Sequence, residues 1–299
     1  MEDKDLTVQN ISEDIIASIM PVRRVTDHKG KCGRIAIIAG SVSMIGAAIL
    51  TARAALRSGV GIVYLMTVPE AAPLVNTAYP EIIVLPLSSH FGAVSDESNR
   101  EIVKLIKDHD LSCLAIGPGM GRKKYTFNFI NTVIKACAKE GFPIIVDADG
   151  LNALSMRELQ DFPDKQMILT PHPGEFKRLF GLMPDFSTET RVTAAVTASQ
   201  NTRQLVVLKG HRTIVAFNDK VMINTTGNPG MASAGVGDVL AGLITGFLGQ
   251  GLSLFDAAAA GVYIHGAAGD LVFEKKGYGL IATDIIEAIP EILVKFQVK

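Results

Sequence analysis

Short apolar runs rich in β-branched residues recur at positions 34–39, 61–67, 112–116, 143–146, 166–169 and 204–208. Several carry no alternating polar residues, the pattern of strands buried on both faces of a parallel sheet. Between them lie stretches with helical spacing: 47–57, closed by Ser58 and Gly59, then 95–107, 125–139, closed by Gly141, and 188–202. This alternation predicts βαβ units, a mostly parallel central sheet flanked by helices on both faces. After Leu208 the rhythm changes. Runs at 213–217 and 220–224 flank Asn218-Asp219, a two-residue hairpin signal that predicts an antiparallel edge. Helical patterns follow at 237–248 and 256–273, the second opened by Ser253 with Asp256 as a capping box, and a last helix is expected at 283–294. No linker, repeat or low-complexity tract interrupts the pattern. The expectation is a lead-in segment over 1–27 and a single α/β domain over 28–299.

Composition narrows the class. In 299 residues, 48% are hydrophobic and 20% charged, and 29 Lys+Arg stand against 30 Asp+Glu for a net charge of -1. Such a balance offers no electrostatic footprint for nucleic acid or an anionic membrane. The apolar stretches 35–66 and 231–273 are broken by Arg53, Arg57, Asp238, Asp256, His265 and Asp270, so they read as buried elements rather than membrane spans. Cys32, Cys113 and Cys137 show no metal or redox spacing and are expected to be reduced packing residues. Glu2, Asp3 and Asp5 occupy a start that lacks the layout of a signal peptide, which makes a cytoplasmic location the expectation.

Glycine and proline mark the segments where chemistry is expected. Between Asn224 and Asp238, Gly227, Gly230, Gly235 and Gly237 precede a clean helix, so backbone amides and the helix dipole could meet a phosphate there. Asp238 falls in that helix's first turn, as a general base, a holder of Mg²⁺-bound phosphate, or simply a complement to the dipole. The run from Gly117 to Gly121 follows a strand, but its third glycine comes one residue early for a dinucleotide fingerprint, and a loop lining a ligand is the better reading. Asp147 and Asp149 would face the same way on extended chain and could position a cation, with turn capping by Asp149 as the alternative. His172 sits between two prolines after a strand, a rigid placement suited to ligand contact. Lys209, Gly210, His211, Arg212 and Thr213 end another strand with cations and a glycine, and Gly40 to Ala48 passes from strand to helix through small residues.

As a set these residues resemble the ADP- or ATP-dependent NAD(P)H-hydrate dehydratases, members of the ribokinase-like superfamily. The likeness runs through His28 to Gly33, Gly40-Ser41, Gly46 to Ala48, Ala55 to Gly59, Gly117 to Gly119, Asp147 to Asn152, Thr170 to Glu175, Leu208 to Gly210 and Asn228 to Gly242. The resemblance implies a ribokinase-like fold and repair of hydrated NADH and NADPH, with the C6 hydroxyl activated as a phosphate that is then eliminated. It implies contact of the damaged cofactor with Ala47, Gly119, Gly121, His172 and catalytic Asp238, and of the nucleotide with Lys209, Gly210, His211, Arg212, Thr213 and Gly237. Asp147, Asn152, Glu175 and Asn228 are expected to support the site. ADP is the expected co-substrate, with ATP as the other option, together with Mg²⁺, whose ligands the sequence does not assign. A homo-oligomer is expected, a tetramer among the options, and a separate NAD(P)H-hydrate epimerase as functional partner, since the lead-in is too short to hold one. One departure stands out: the family's Thr/Ser-Gly-Gly-Thr/Ser-Gly-Asp run reads Ser233-Ala-Gly-Val-Gly-Asp238 here, so Ala234 adds a methyl and Val236 removes a hydroxyl near the phosphate. The alternatives are a ribokinase-like kinase of a vitamin-precursor alcohol such as hydroxyethylthiazole or hydroxymethylpyrimidine, and a catalytically silent nucleotide-binding protein.

Overall fold

A computed structural model describes residues 6–164, 166–182 and 187–297, so the first five positions of the acidic N-terminus lie outside it. The strands are β1 (Thr7–Asn10), β2 (Arg34–Ile38), β3 (Ile62–Thr67), β4 (Ile83–Pro86), β5 (Ser89–His90), β6 (Ala93–Val94), β7 (Cys113–Ile116), β8 (Ile144–Val146), β9 (Met167–Leu169), β10 (Leu205–Leu208), β11 (Ile214–Phe217) and β12 (Lys220–Ile223). Ten of them form one sheet in the order β1-β12-β11-β10-β9-β8-β7-β2-β3-β4, and β5 pairs with β6 apart from it. Within that sheet β11 alone is antiparallel to its neighbours, β10 and β12. Every strand expected from the apolar runs is present, each to within one residue.

The lead-in segment adds a strand to the sheet and side chains to the core. Thr7 to Asn10 pair in parallel with Lys220 to Ile223, so β1 lies outside the predicted hairpin. Ile11, Ile16 and Met20 follow it into the core. All four β1 residues are exposed, which left no apolar pattern to read.

Among the described residues twelve helices surround the sheet: α1 (Glu13–Ile19), α2 (Ile45–Arg57), α3 (Ala72–Ala78), α4 (Asn99–Asp108), α5 (Lys124–Glu140), α6 (Asp149–Asn152), α7 (Met156–Gln160), α8 (Pro173–Phe180), α9 (Thr188–Thr202), α10 (Val236–Gly249), α11 (Leu254–Lys276) and α12 (Ala282–Gln297). The two-residue period of a strand distributes them. Ile35 and Ile37 of β2 enter one apolar cluster with residues of α2, α10, α11 and α12. Ala36 and Ile38, pointing the other way, enter a second with residues of α4 and α5. Each large aliphatic chain so buried contributes about 1.5–3 kcal/mol. Cys113 and Cys137 belong to these clusters, and burial pushes the Cys137 thiol up to about 12, which fits a packing role.

Small residues set the position of α10. A Cβ on Gly242 would stand 2.1 Å from the Thr51 carbonyl oxygen of α2, so the two helices pack backbone against backbone. That contact fixes the N-terminus of α10 above the carboxyl ends of the central strands, where open α/β sheets bind ligands. Ser253 caps α11 as expected, accepting from the Asp256 amide at 3.1 Å, while its hydroxyl donates to the Asp256 carboxylate at 2.7 Å. Among the described residues no helix is long and apolar enough to cross a membrane.

Candidate active site

The strand ends bring cations and carboxylates together around the first turn of α10. Lys209, after β10, donates from Nζ to Asp147 Oδ1, after β8, at 2.7 Å, and Glu175 Oε2 lies 3.9 Å away. Burial alone would lower the Lys209 pKa, but Asp147, then Glu175 and more distantly Asp238 hold it above its ordinary value. Lys209 therefore stays charged. A Cβ on Gly237 would stand 3.6 Å from its ammonium, which places that charge beside the amide end of α10. Asp238 follows in the same turn, and its carboxylate has no hydrogen-bond partner among the described residues. Burial first, then the nearby Asp147 and Asp149 carboxylates, raise its pKa to about 7 against the opposing pull of Lys209. A carboxylate in that range can take a proton at neutral pH, as a general base requires.

Asp147 and Asp149 do not share a direction. Ala148 between them adopts φ 48, so the chain is not extended and the carboxylates take different partners. Asp149 accepts from the Gly121 amide at 2.8 Å, Arg122 Nε at 3.3 Å and Asn152 Nδ2 at 3.2 Å. It thereby holds the 117–121 loop across a long stretch of sequence rather than capping a local turn. On the other side of that loop, a Cβ on Gly119 would lie 2.6 Å from the Met44 carbonyl oxygen and 2.9 Å from Ala47 Cβ. Gly121 thus meets Asp149, and Gly119 meets Ala47.

His172 is the N-cap of α8. Its Nδ1 accepts from the Gly174 and Glu175 amides at 3.0 and 3.3 Å, and Glu175 Oε2 accepts from the His172 amide at 2.9 Å, a capping box with histidine in the usual serine position. An accepting Nδ1 assigns the proton to Nε2, which lies 3.5 Å from Glu175 Oε1. The ring is 56% exposed, so the cap leaves it open to a ligand.

A cavity of about 750 Å³ opens next to this cluster. Lys209, Gly210, His211, Arg212, Thr213 and Gly237, the residues read as nucleotide contacts, all line it, as do His172 and Asn228. Ala47, Gly119, Gly121 and Asp238 are not in its wall. The candidates therefore divide into two sets, with Gly237 and Asp238 at the boundary, except that His172, expected to contact the damaged cofactor, lies in the wall of the cavity with the nucleotide candidates. Asn228 is a loop former as well: its Oδ1 accepts from the Gly230 amide at 3.0 Å, and its Nδ2 donates to Asp270 Oδ1 at 2.8 Å.

Three residues escaped the sequence reading of the site. Asp270 of α11 also accepts from the Gly227 amide at 2.8 Å, tying the glycine-rich loop to α11. His265 of α11 lines the cavity and places Nε2 3.0 Å from the Val236 carbonyl oxygen. Burial lowers its pKa to about 4, so the ring is neutral. Arg191 of α9 lies under the 209–213 loop. For Asp270 and His265 a signal existed, since both interrupt an apolar run; Arg191 stood in an ordinary helical pattern. Both departures from the family run line the cavity: Val236, which lacks the family hydroxyl, is 6% exposed and also joins the apolar core, whereas Ala234 is exposed.

A family model described as NAD(P)H-hydrate dehydratase matches residues 35–291. The chain is 37% identical over 280 residues to the bifunctional NAD(P)H-hydrate repair enzyme Nnr of Moorella thermoacetica, covering 92% of this chain and 52% of that one. It thus spans about half the length of such bifunctional relatives. It is 31% identical over 292 residues to the ADP-dependent (S)-NAD(P)H-hydrate dehydratase of Cenarchaeum symbiosum, covering 98% of this chain and 99% of that one. The ADP/ATP-dependent NAD(P)H-hydrate dehydratase of Bacillus subtilis, co-crystallized with ATP/Mg²⁺, superimposes with a TM-score of 0.83 at 28% identity, covering 98% of this chain and 100% of that one. By its motifs, its fold and this match across most of its length, the chain belongs to the NAD(P)H-hydrate dehydratase family.

Proposed function

We propose that the protein is an ADP-dependent (S)-NAD(P)H-hydrate dehydratase, a hydro-lyase that restores hydrated NADH and NADPH. The observation that carries this reading is the two-sided first turn of α10. A cavity lined by Lys209 and Gly237 lies on one side, and Asp238, with a pKa near 7, stands outside that cavity's wall. Hydroxide is a poor leaving group and phosphate a good one, so dehydration at the nicotinamide ring is eased by phosphorylating its hydroxyl first. The nucleotide occupies the cavity against Lys209, Gly210, His211, Arg212, Thr213 and Gly237. The hydrated ring sits by Ala47, Gly119, Gly121 and His172. Asp238 takes the C6 hydroxyl proton as the oxygen accepts the phosphoryl group; phosphate then departs with the C6–O bond, the adjacent carbon loses a proton, and the ring double bond returns. ADP leaves as AMP. Lys209 and the α10 amides offset the charge on the moving phosphoryl group.

Asp147, Glu175, Asn152 and Asn228 act behind these contacts, fixing Lys209, the His172 cap and the two glycine loops. The described residues contain no group of three or more His, Cys, Asp or Glu able to cage a metal. Mg²⁺ would therefore be held mainly by nucleotide phosphates and water, with the Asp238 carboxylate as the protein oxygen that could join them, and it would supply neutralisation of phosphate charge. An epimerase acting on the other C6 epimer would enlarge the pool of substrate.

The test is incubation with hydrated NADH and ADP, then ATP, while NADH absorbance is followed. Recovery with ADP supports the proposal, and recovery with ATP alone keeps the dehydratase but overturns its ADP dependence. No recovery with both, alongside phosphorylation of a thiazole or pyrimidine alcohol, replaces it with the kinase reading.

A further inference from the structure

Behind the 209–213 loop lies a buried cation that the mechanism above does not use. Arg191, one turn into α9, is 7% exposed. Its guanidinium donates to main-chain carbonyls of Leu208 at 3.2 Å, Lys209 at 3.2 Å and Arg212 at 3.4 Å, and to that of His211. No carboxylate pairs with it among the described residues. The remaining carbonyl of the turn, that of Gly210, accepts the Thr213 hydroxyl at 3.0 Å. Every carbonyl from 208 to 212 is therefore engaged by the protein.

The consequence lies on the opposite side of each peptide. In a trans peptide the carbonyl of one residue and the amide of the next point in opposite directions. Drawing the Lys209 and His211 carbonyls inward turns the Gly210 and Arg212 amides outward. Neither amide has an acceptor among the described residues, and both residues line the cavity. The turn also rests directly on the guanidinium, since a Cβ on Gly210 would stand 3.0 Å from Arg191 Nη2. A tie between α9 and β10 needs only an apolar side chain, at far smaller desolvation cost than a buried charge. Gathering four carbonyls needs a planar fork with several donors, which lysine does not supply.

We propose that Arg191 is a positioning residue for nucleotide binding: it holds the 208–212 carbonyls inward so that the Gly210 and Arg212 amides meet anionic oxygens of a nucleoside diphosphate or triphosphate. The proposal rests on the nucleotide-binding reading of the cavity. It differs from a purely structural role in what it changes, namely nucleotide affinity rather than affinity for the hydrated cofactor.

ADP affinity by calorimetry, for the wild type, Arg191→Lys, Arg191→Ala and Gly210→Ala, tests it. Loss of two aimed amides predicts roughly 10- to 100-fold weaker ADP binding in Arg191→Lys. KM for ADP should rise in step, with KM for hydrated NADH changed less than about twofold. Millimolar guanidinium should restore ADP binding to Arg191→Ala, and ethylammonium should not. If Arg191→Ala does not fold, Arg191→Lys and Gly210→Ala carry the test. Wild-type ADP affinity in Arg191→Lys, or equal loss for both substrates, overturns the proposal alone; a wild-type protein that binds neither ADP nor ATP overturns the nucleotide reading and the proposal with it.

Discussion

Asp238→Asn preserves side-chain size and removes a charge that its surroundings resist. Burial and the Asp147 and Asp149 carboxylates raise the Asp238 pKa from 3.8 to about 7, with Lys209 opposing. Between those two values the folded state binds more protons than the unfolded state, so stability falls as pH rises through the window. At about 1.36 kcal/mol per pH unit the penalty is bounded near 4 kcal/mol. Water reaching the partly open side chain reduces this to about 1–3 kcal/mol. In a chain of this size 1 kcal/mol moves Tm by roughly 2 °C. Asp238→Asn is therefore expected to melt about 2–6 °C above the wild type near pH 8, and at nearly the same temperature near pH 4, where both carry a neutral side chain. Scanning calorimetry of the two proteins without nucleotide reads this directly. An equal or lower Tm for the variant near pH 8 would refute the claim that the site holds this carboxylate against its environment.

The same variant should lose NADH recovery while binding ADP within about threefold of wild type, and retained turnover removes Asp238 from the mechanism. In the wild type, kcat/KM should rise with pH through about 7 as Asp238 loses its proton, a profile that a flat pH–rate curve would contradict. His172→Ala removes both a cap and a ligand contact, so it should cost about 1 kcal/mol in melting and weaken hydrated NADH binding; His172→Asn should restore the stability but not the affinity, and recovery of both would leave His172 a cap alone. Lys209→Met strands the buried Asp147 carboxylate and should destabilise the fold by about 3–5 kcal/mol, a loss that adding Asp147→Asn relieves without restoring turnover. Recovered turnover in that double variant would show that the Lys209 charge is dispensable.

Legibility in the sequence followed physical range. Strands β2, β3, β7, β8, β9 and β10 were readable because burial on both faces leaves continuous apolar runs. Strand β1 was not, because its exposed residues pair through backbone alone. Helix α8 was hidden in a motif whose cap is a histidine rather than a serine or aspartate. The motif residues around Lys209, Gly237 and Asp238 were legible as glycine-marked strand ends, and Asp147 and Asn228 as supporting residues, yet which side chain meets which was not. Asp147 meets Lys209, Asp270 holds Asn228, and Arg191 gathers the 208–212 carbonyls across separations that only the sheet order sets. Local geometry also defeated the reading of Asp147 and Asp149 as a pair, since positive φ at Ala148 was not encoded by a glycine.

The most direct test of a dehydration driven by phosphoryl transfer is its stoichiometry: NADH restored, AMP formed and inorganic phosphate released, measured together in single samples of hydrated NADH with limiting ADP. The account predicts equal amounts of all three, with none formed by Asp238→Asn. NADH restored without phosphate release, or ADP consumed into a stable phosphorylated product with no NADH, would contradict it.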